Sequence, residues 1–529
     1  MSSLDVDIYP YDIFGIKKIG IEKWLSNYYL PVSGTEFEKI EAGILQAYIK
    51  GLNEYDNEDV YWILVSNLKI PMFISVYILY LLRFIRLKEC GYKYMIGREQ
   101  NRISIEVSDF DLTRLDSYGA IDSSPFCSNL RNKGMNFLRV IKNNCIDTRV
   151  FANISNPHFL IGNKNQYEVA HFCNEYRVAP IYITPALLFK KYGNKERIHI
   201  DLDKLLDFTD KFIDVVVKKY PFIGNNSSNI LKRKISDNFQ ASYLFYRRCR
   251  DICRKVKHKT LLATGLGNKV NRLFCAAWMS SGNDVVGFAH GNSYCNSYHN
   301  FTVIKDGMSV VNRYFAASQG QRKLLNEVIS RYSYGMKMPN VEYSESNYYR
   351  PLFQDLQKAN PVRGVKRIMI IGSLLKNSYY PLYCGHHAFV NYELELRLAK
   401  VLKSAGYYVI YKAHPDSINE IEGLFDGYVD EILTGRFEDV FLGADCIVYK
   451  VSRTTTFGFA LLTNRPIVLL NVNGAPWFSK AFELLKKRCC IVDADYRDDR
   501  IVFDEKDLID AVKSSPENID YKILHEFAF

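Results

Sequence analysis

Twelve cysteines stand in the 529-residue chain without a single Cys-x-x-Cys pair. Neither Cys249 with Cys253 nor the adjacent Cys489 and Cys490 has histidines at zinc-ligand spacing, so free, reduced thiols are expected and no metal site. No low-complexity tract or repeat period is present, which excludes a solenoid. The longest apolar run, Ile70 to Leu82, lies between Lys69 and Arg83 and is too short to span a bilayer; it reads as a buried helix, with interfacial contact as the alternative. The start, with Asp5 and Asp7, lacks an apolar core after a basic stretch, so neither a secretory signal nor a transit peptide is expected and a cytoplasmic location is. The sequons at Asn226 and Asn300 are then incidental. No Asp-x-Asp arrangement occupies a convincing metal-binding loop, and no nucleic-acid-binding motif is recognisable.

What is present is core material: 48% of residues are hydrophobic and 14% aromatic, in a length that exceeds what one core supports. Two large domains are expected. The net charge of +11 is unevenly spread. Arg247, Arg248, Arg250, Arg254, Lys255, Lys257 and Lys259 fall within thirteen residues, opposed only by Asp251. A solvated helix face, an anionic lipid surface and a polyanionic substrate each account for that run.

Residues 1–98 read as a helical addition, in which Thr35 and Glu38 form a capping box and Phe37, Ile40, Ile44 and Tyr48 share one face. Beyond them, short apolar runs at Phe159 to Ile161, Ala179 to Ile183, Leu261 to Thr264 and Val285 to Ala289 alternate with helical stretches. That alternation predicts an α/β fold with a mostly parallel sheet. A polar stretch with Pro361 and Gly364 marks the boundary, giving domains 1–360 and 361–529. After it come strand Arg367 to Gly372, a helix from Tyr392 to Ala405 capped by Gly406, and strand Tyr407 to Tyr411. Strand Cys446 to Lys450, a helix through Leu462 and strand Pro466 to Val472 repeat the pattern. The loops after Gly372, Tyr411 and Lys450 should therefore share one rim, where open α/β sheets bind ligands.

Those loops hold the candidate residues. Lys412-Ala413-His414-Pro415-Asp416 precedes a second capping box, Ser417 with Glu420, and puts an imidazole and a lysine beside the unpaired N–H groups of a helix start. Phosphate binding is one reading of His414; a structural histidine at a strand end is the other. Ser452, Arg453, Thr454, Thr455 and Thr456 exceed what plain N-capping needs and suit a phosphate or ribose. In the first domain, Gly265 to Arg272 forms a glycine-containing turn opening a helix, and the next strand delivers His290, Gly291 and Asn292. Gly265, Asn268, Arg272, Gly291 and Asn292 are thus expected on a second rim, the two rims enclosing a cleft.

These motifs, a His-Gly after a first-domain strand, Lys-x-His-Pro-Asp after a second-domain strand and a Ser/Thr cluster before Ala460-Leu461-Leu462, resemble those of GT-B glycosyltransferases that use cytidine-nucleotide donors. Thr264 to Arg272, His290-Gly291 and Lys412 to Asp416 are most similar to the bacterial capsule and lipopolysaccharide Kdo transferases. The resemblance to bacterial sialyltransferases and CDP-glycerol glycerophosphotransferases is more distant. It covers roughly Leu261 to Val472. It implies two Rossmann-like domains facing a cleft, a CMP-linked sugar as co-substrate without metal or further cofactor, and a cell-surface polysaccharide or glycolipid acceptor, while the basic run from Arg247 to Lys259 adds the expectation of peripheral contact with the inner face of the cytoplasmic membrane. It also implies donor-phosphate contacts from His414, Thr454, Thr455 and Ser452. Lys412 and Arg453 would help stabilise the departing phosphate; by its predicted position His290 is the first candidate for the base and Asp306 the second, a structural histidine packed under the cleft being the other reading of His290. Where many relatives carry a glutamate suited to ribose, this chain has Phe459. The alternatives are a CDP-glycerol-type polyol phosphotransferase and an inactive scaffold that binds glycan or lipid.

Overall fold

The computed structural model describes residues 7–10, 12–55, 57–98, 103–104, 158–162, 167–183, 185, 202–256, 258–288, 304–343, 349–375, 381–452, 454–472, 477–497 and 500–528, with 103, 104, 167, 306 and 381–387 described in backbone only. The chain divides into two compact units. One gathers residues 1–44, 71–120 and 353–523; the other gathers 45–70, 121–352 and 524–529. This differs from a linear break at 360/361, because most of the N-terminal helical region groups with the C-terminal residues, and the last six residues group with the middle of the chain.

The N-terminal region is helical as expected, and adds a small sheet in which β1 (Ile8–Pro10) pairs parallel with β2 (Tyr94–Ile96) and β2 antiparallel with β3 (Ile103–Ser104). In the Gly34–Leu52 helix Phe37, Ile40, Ile44 and Tyr48 are all buried. Its cap is Ser33, whose hydroxyl accepts from Glu36 N at 3.2 Å, and not Thr35, because the helix opens one residue before the expected cap. The Ile70–Glu89 helix extends past Leu82; it is the one helix among the described residues long and apolar enough to cross a membrane, yet 78% of its apolar window is buried. Trp24, stacked 5.5 Å from Tyr392, packs the preceding helical segment onto the same unit.

In the second unit, β4 (Phe159–Ile161), β5 (Ile181–Tyr182), β6 (Thr260–Ala263), β7 (Asp284–Phe288), β8 (Arg313–Ala316) and β9 (Asn340–Tyr343) form a wholly parallel sheet in the order β5-β4-β6-β7-β8-β9. Strands with apolar runs are buried on both faces, which is why they lack alternation. Phe172 seals one face, edge-on to Phe288 at 5.5 Å and Phe315 at 5.4 Å. An antiparallel hairpin of long helices, Asp203–Lys219 and Gly224–Cys253, packs Phe208 and Phe212 against Tyr48. The basic run ends the second of these helices. Arg247 and Arg250 both pair with Asp59, while Arg248, Arg254 and Lys255 face solvent. Part of the run therefore serves folding and not a partner.

In the first unit, β10 (Arg367–Ile371), β11 (Tyr408–Lys412), β12 (Glu431–Leu433), β13 (Cys446–Tyr449), β14 (Ile467–Val472), β15 (Cys490–Arg497) and β16 (Arg500–Phe503) are ordered β12-β11-β10-β13-β14-β15-β16. All pairs are parallel except β15 with β16. The Pro381–Ser404 helix ends as its glycine predicts: Gly406 sits at φ +86°, and Tyr407 N donates to Leu402 O at 3.2 Å. Arg488 is fully buried and directs its guanidinium at the carbonyls of Ala460, Leu461, Thr463 and Arg465, at 2.7–3.1 Å, closing the C-terminus of the Thr455–Leu462 helix. The α/β class with parallel sheets is thus present in both units.

Candidate functional site

In the first unit the chain builds outward from β10 to β12 on one side, then returns to build β13 to β15 on the other. Strand order therefore switches between β10 and β13, the place at which open α/β sheets present a ligand crevice. β11 and β13 flank β10, so their carboxyl ends stand about 10 Å apart, two strand spacings. Lys412 is level with Ile371 in register, and Ile370 with Val448. His414 and the Thr454 helix therefore stand on either side of the end of β10.

Glycine is required at that end: a Cβ on Gly372 would collide with the Tyr411 hydroxyl and the Lys412 carbonyl. The three loops are tied by one buried carboxylate. Glu395 accepts from Ser373 N at 2.9 Å and from the Tyr411 hydroxyl at 2.7 Å, and ion-pairs with Lys450, the residue directly after β13. Glu395 is fully buried and Lys450 nearly so. Burial drives the Lys450 pKa well down, and the carboxylate against it is the compensating charge. Ser417 adds a second tie, its hydroxyl accepting from Leu375 N at 2.7 Å. This replaces the expected capping box with Glu420. His414 caps the preceding Pro415–Ser417 turn, its Nδ1 accepting from Asp416 N at 3.2 Å.

That bond fixes the imidazole tautomer: with Nδ1 an acceptor, the neutral ring carries its proton on Nε2. Burial lowers the His414 pKa, Asp416 opposes this and Lys412 reinforces it. Lys412 is buried, donates to its neighbour's carbonyl at Ala413, and has its pKa lowered by burial against the pull of Glu438. Across the crevice Thr454 caps the Thr455–Leu462 helix, its Oγ1 accepting from Phe457 N at 3.2 Å and lying 2.9 Å from Thr456 Oγ1. Thr455 is exposed and Ser452 buried. Phe459 packs edge-on against Phe437 and Phe441 at 5.9 and 5.7 Å, so an aromatic cluster fills its position.

On the rim of the second unit, the described residues are engaged in packing. Gly162, at φ +102°, touches Thr264 so closely that no side chain fits. Gly265 turns at φ +64°, and Asn268 caps the Lys269–Met279 helix by accepting from Val270 N at 2.8 Å. Arg272, expected on the rim, is 1% exposed: its guanidinium donates to the carbonyls of Val65 and Ser66 and to Ser309 Oγ at 2.9 Å, holding a helix end as Arg488 does. Its turn of helix faces the Glu58–Ser66 helix and not the loops. Glu168, buried at the start of the helix after β4, accepts from the Tyr349 hydroxyl at 2.7 Å, and burial raises its carboxyl pKa. His290, Gly291, Asn292 and Arg453 lie outside the described residues, and Asp306 is described in backbone only, within the Ile304–Met308 turn.

Sequence reading missed Glu395 and Lys450. The signal for both was there: a glutamate inside an apolar helical stripe, and a lysine closing a buried strand. Among the described residues no group of three His, Cys, Asp or Glu side chains gathers as a metal site would. No family model and no curated protein matches the chain.

Proposed function

We propose that the carboxyl rim around β10 binds the phosphate of a nucleotide-activated donor, and that the protein is a metal-independent GT-B glycosyltransferase. The transferred group is Kdo or a related ulosonic acid from a CMP-linked donor, and the acceptor is a cell-surface polysaccharide or glycolipid at the inner face of the cytoplasmic membrane. One observation carries the reading: His414, whose Nε2–H has no acceptor among the described residues, and the Thr455–Leu462 helix start stand on either side of the end of β10, beside the switch of strand order. A phosphate there meets a donor from each side and a helix dipole.

In the reaction the acceptor hydroxyl oxygen bonds to the anomeric carbon as the bond from that carbon to the phosphate oxygen breaks, and the electron pair leaves with the nucleotide. His414, Lys412, Arg453 and the hydroxyls of Ser452, Thr454, Thr455 and Thr456 stabilise the departing phosphate. His290 or Asp306 takes the acceptor proton.

Calorimetric titration with CMP, CDP, UDP and GDP, repeated with His414→Ala, tests this. Selective cytidine binding, weakened on the order of 10- to 100-fold in the variant, supports it. Binding of CDP with transfer of a polyol phosphate would assign the CDP-glycerol-type alternative. Preference for UDP or GDP sinks the donor assignment, and binding of none assigns a scaffold role, which the packed Phe459 would suit.

A further inference from the structure

The turn joining the two long helices of the second unit carries an unusual surface. From Val215 to Ser236 the sequence contains Lys218, Lys219, Lys232, Arg233 and Lys234 and no acidic residue. Lys232 is occupied by Asp210 and Asp214 along the helix seam, at 3.2 and 2.8 Å. Lys218, Lys219 and Arg233 face solvent. Between them the Pro221–Ile223 turn buries Ile223 but turns Phe222 outward, 37% exposed, with Val215 54% exposed one helical turn before the lysines. Tyr220 stacks edge-on to Phe222 at 6.0 Å, and Lys219 lies over the Tyr220 ring at 5.6 Å. Gly224, at φ +71°, makes the turn tight with open space around it.

We propose that this turn, and not the basic run at Arg247 to Lys259, seats the protein on an anionic bilayer surface. Apolar residues at a tip ringed by lysine and arginine suit an interface in which the rings enter the headgroup layer and the cations meet lipid phosphates. A soluble polyanion would be met by the charges alone and would leave Phe222 and Val215 in water. The basic run lies toward the far end of the 30-residue helix, beginning about 35 Å away, and two of its arginines are already held by Asp59. The proposal is independent of which nucleotide the other unit binds.

The test is co-sedimentation of the full chain with vesicles of phosphatidylglycerol and phosphatidylethanolamine, against vesicles of phosphatidylcholine. Binding to the anionic vesicles alone, weakening as salt rises, is expected. Lys218→Ala with Lys219→Ala should lower partitioning about 25-fold, roughly five-fold per charge removed near the surface. Replacement of the same pair by arginine should preserve binding, as should Arg254→Ala with Lys255→Ala. The indole introduced by Phe222→Trp should shift its emission to the blue on vesicle addition. The proposal is overturned by equal binding to both vesicle types, by loss through the Arg254 and Lys255 variant with retention through the lysine variant, by an unshifted indole on bound protein, or by capture on heparin with no vesicle binding.

Discussion

The two sheets share a parallel architecture but use their carboxyl rims differently. Around β6 the described rim residues are engaged in packing: Gly162 abuts Thr264, Asn268 caps its own helix and Arg272 is turned inward. Around β10 buried charges hold the loops from below, and donors are left above them. Glu395 and Lys450 anchor the backbone, while among the described residues nothing accepts from His414 Nε2–H. The described polar groups of the β6 rim serve packing; those of the β10 rim, anchored from beneath, are the ones proposed to bind phosphate.

The largest effect should come from breaking the anchor. Glu395→Leu leaves Lys450 buried without its carboxylate and should cost about 3–5 kcal/mol in chemical denaturation, whereas adding Lys450→Met should recover much of it. If the double variant folds yet binds no nucleotide, the anchor positions the rim; if it binds normally, the contrast between the sheets fails. Arg272→Met should cost about 3 kcal/mol by stranding two carbonyls and a hydroxyl, with nucleotide affinity of the folded fraction unchanged. A loss of affinity there would return Arg272 to the site.

Ser417→Ala strands the buried Leu375 N–H and should cost about 2 kcal/mol in thermal unfolding, loosening the loop after β10. The smallest effect is the titration of His414. Its folded pKa is lowered by burial, so the unfolded chain binds the extra proton first, and its contribution to stability is lost as pH falls below the ordinary histidine value near 6.5. Denaturation midpoints of wild type and His414→Gln should therefore diverge below that pH and run parallel above it.

Strands were legible because buried parallel strands are short apolar runs: β4, β6, β7, β10, β11, β13 and β14 lie within a residue or two of where the sequence puts them. The rim was legible through the same strands, since their ends locate His414 and Thr454. Caps were read less well. Ser417 has the spacing of a capping box, but a bond to Leu375, 42 residues away, outcompetes the local one. Arg272 looked like a rim cation because sequence reveals where a helix begins and not which turn of it faces a neighbouring helix. The division of the N-terminal helices between the units depends on contacts far apart in sequence, which no local pattern encodes.

Arg488 has a bearing on how such a site can change. It terminates the Thr455–Leu462 helix at the end opposite Thr454, through four carbonyls. Support and recognition are therefore separable along one short helix. A substitution at Thr454 leaves the four bonds at the far end of the helix in place, whereas one at Arg488 removes them all.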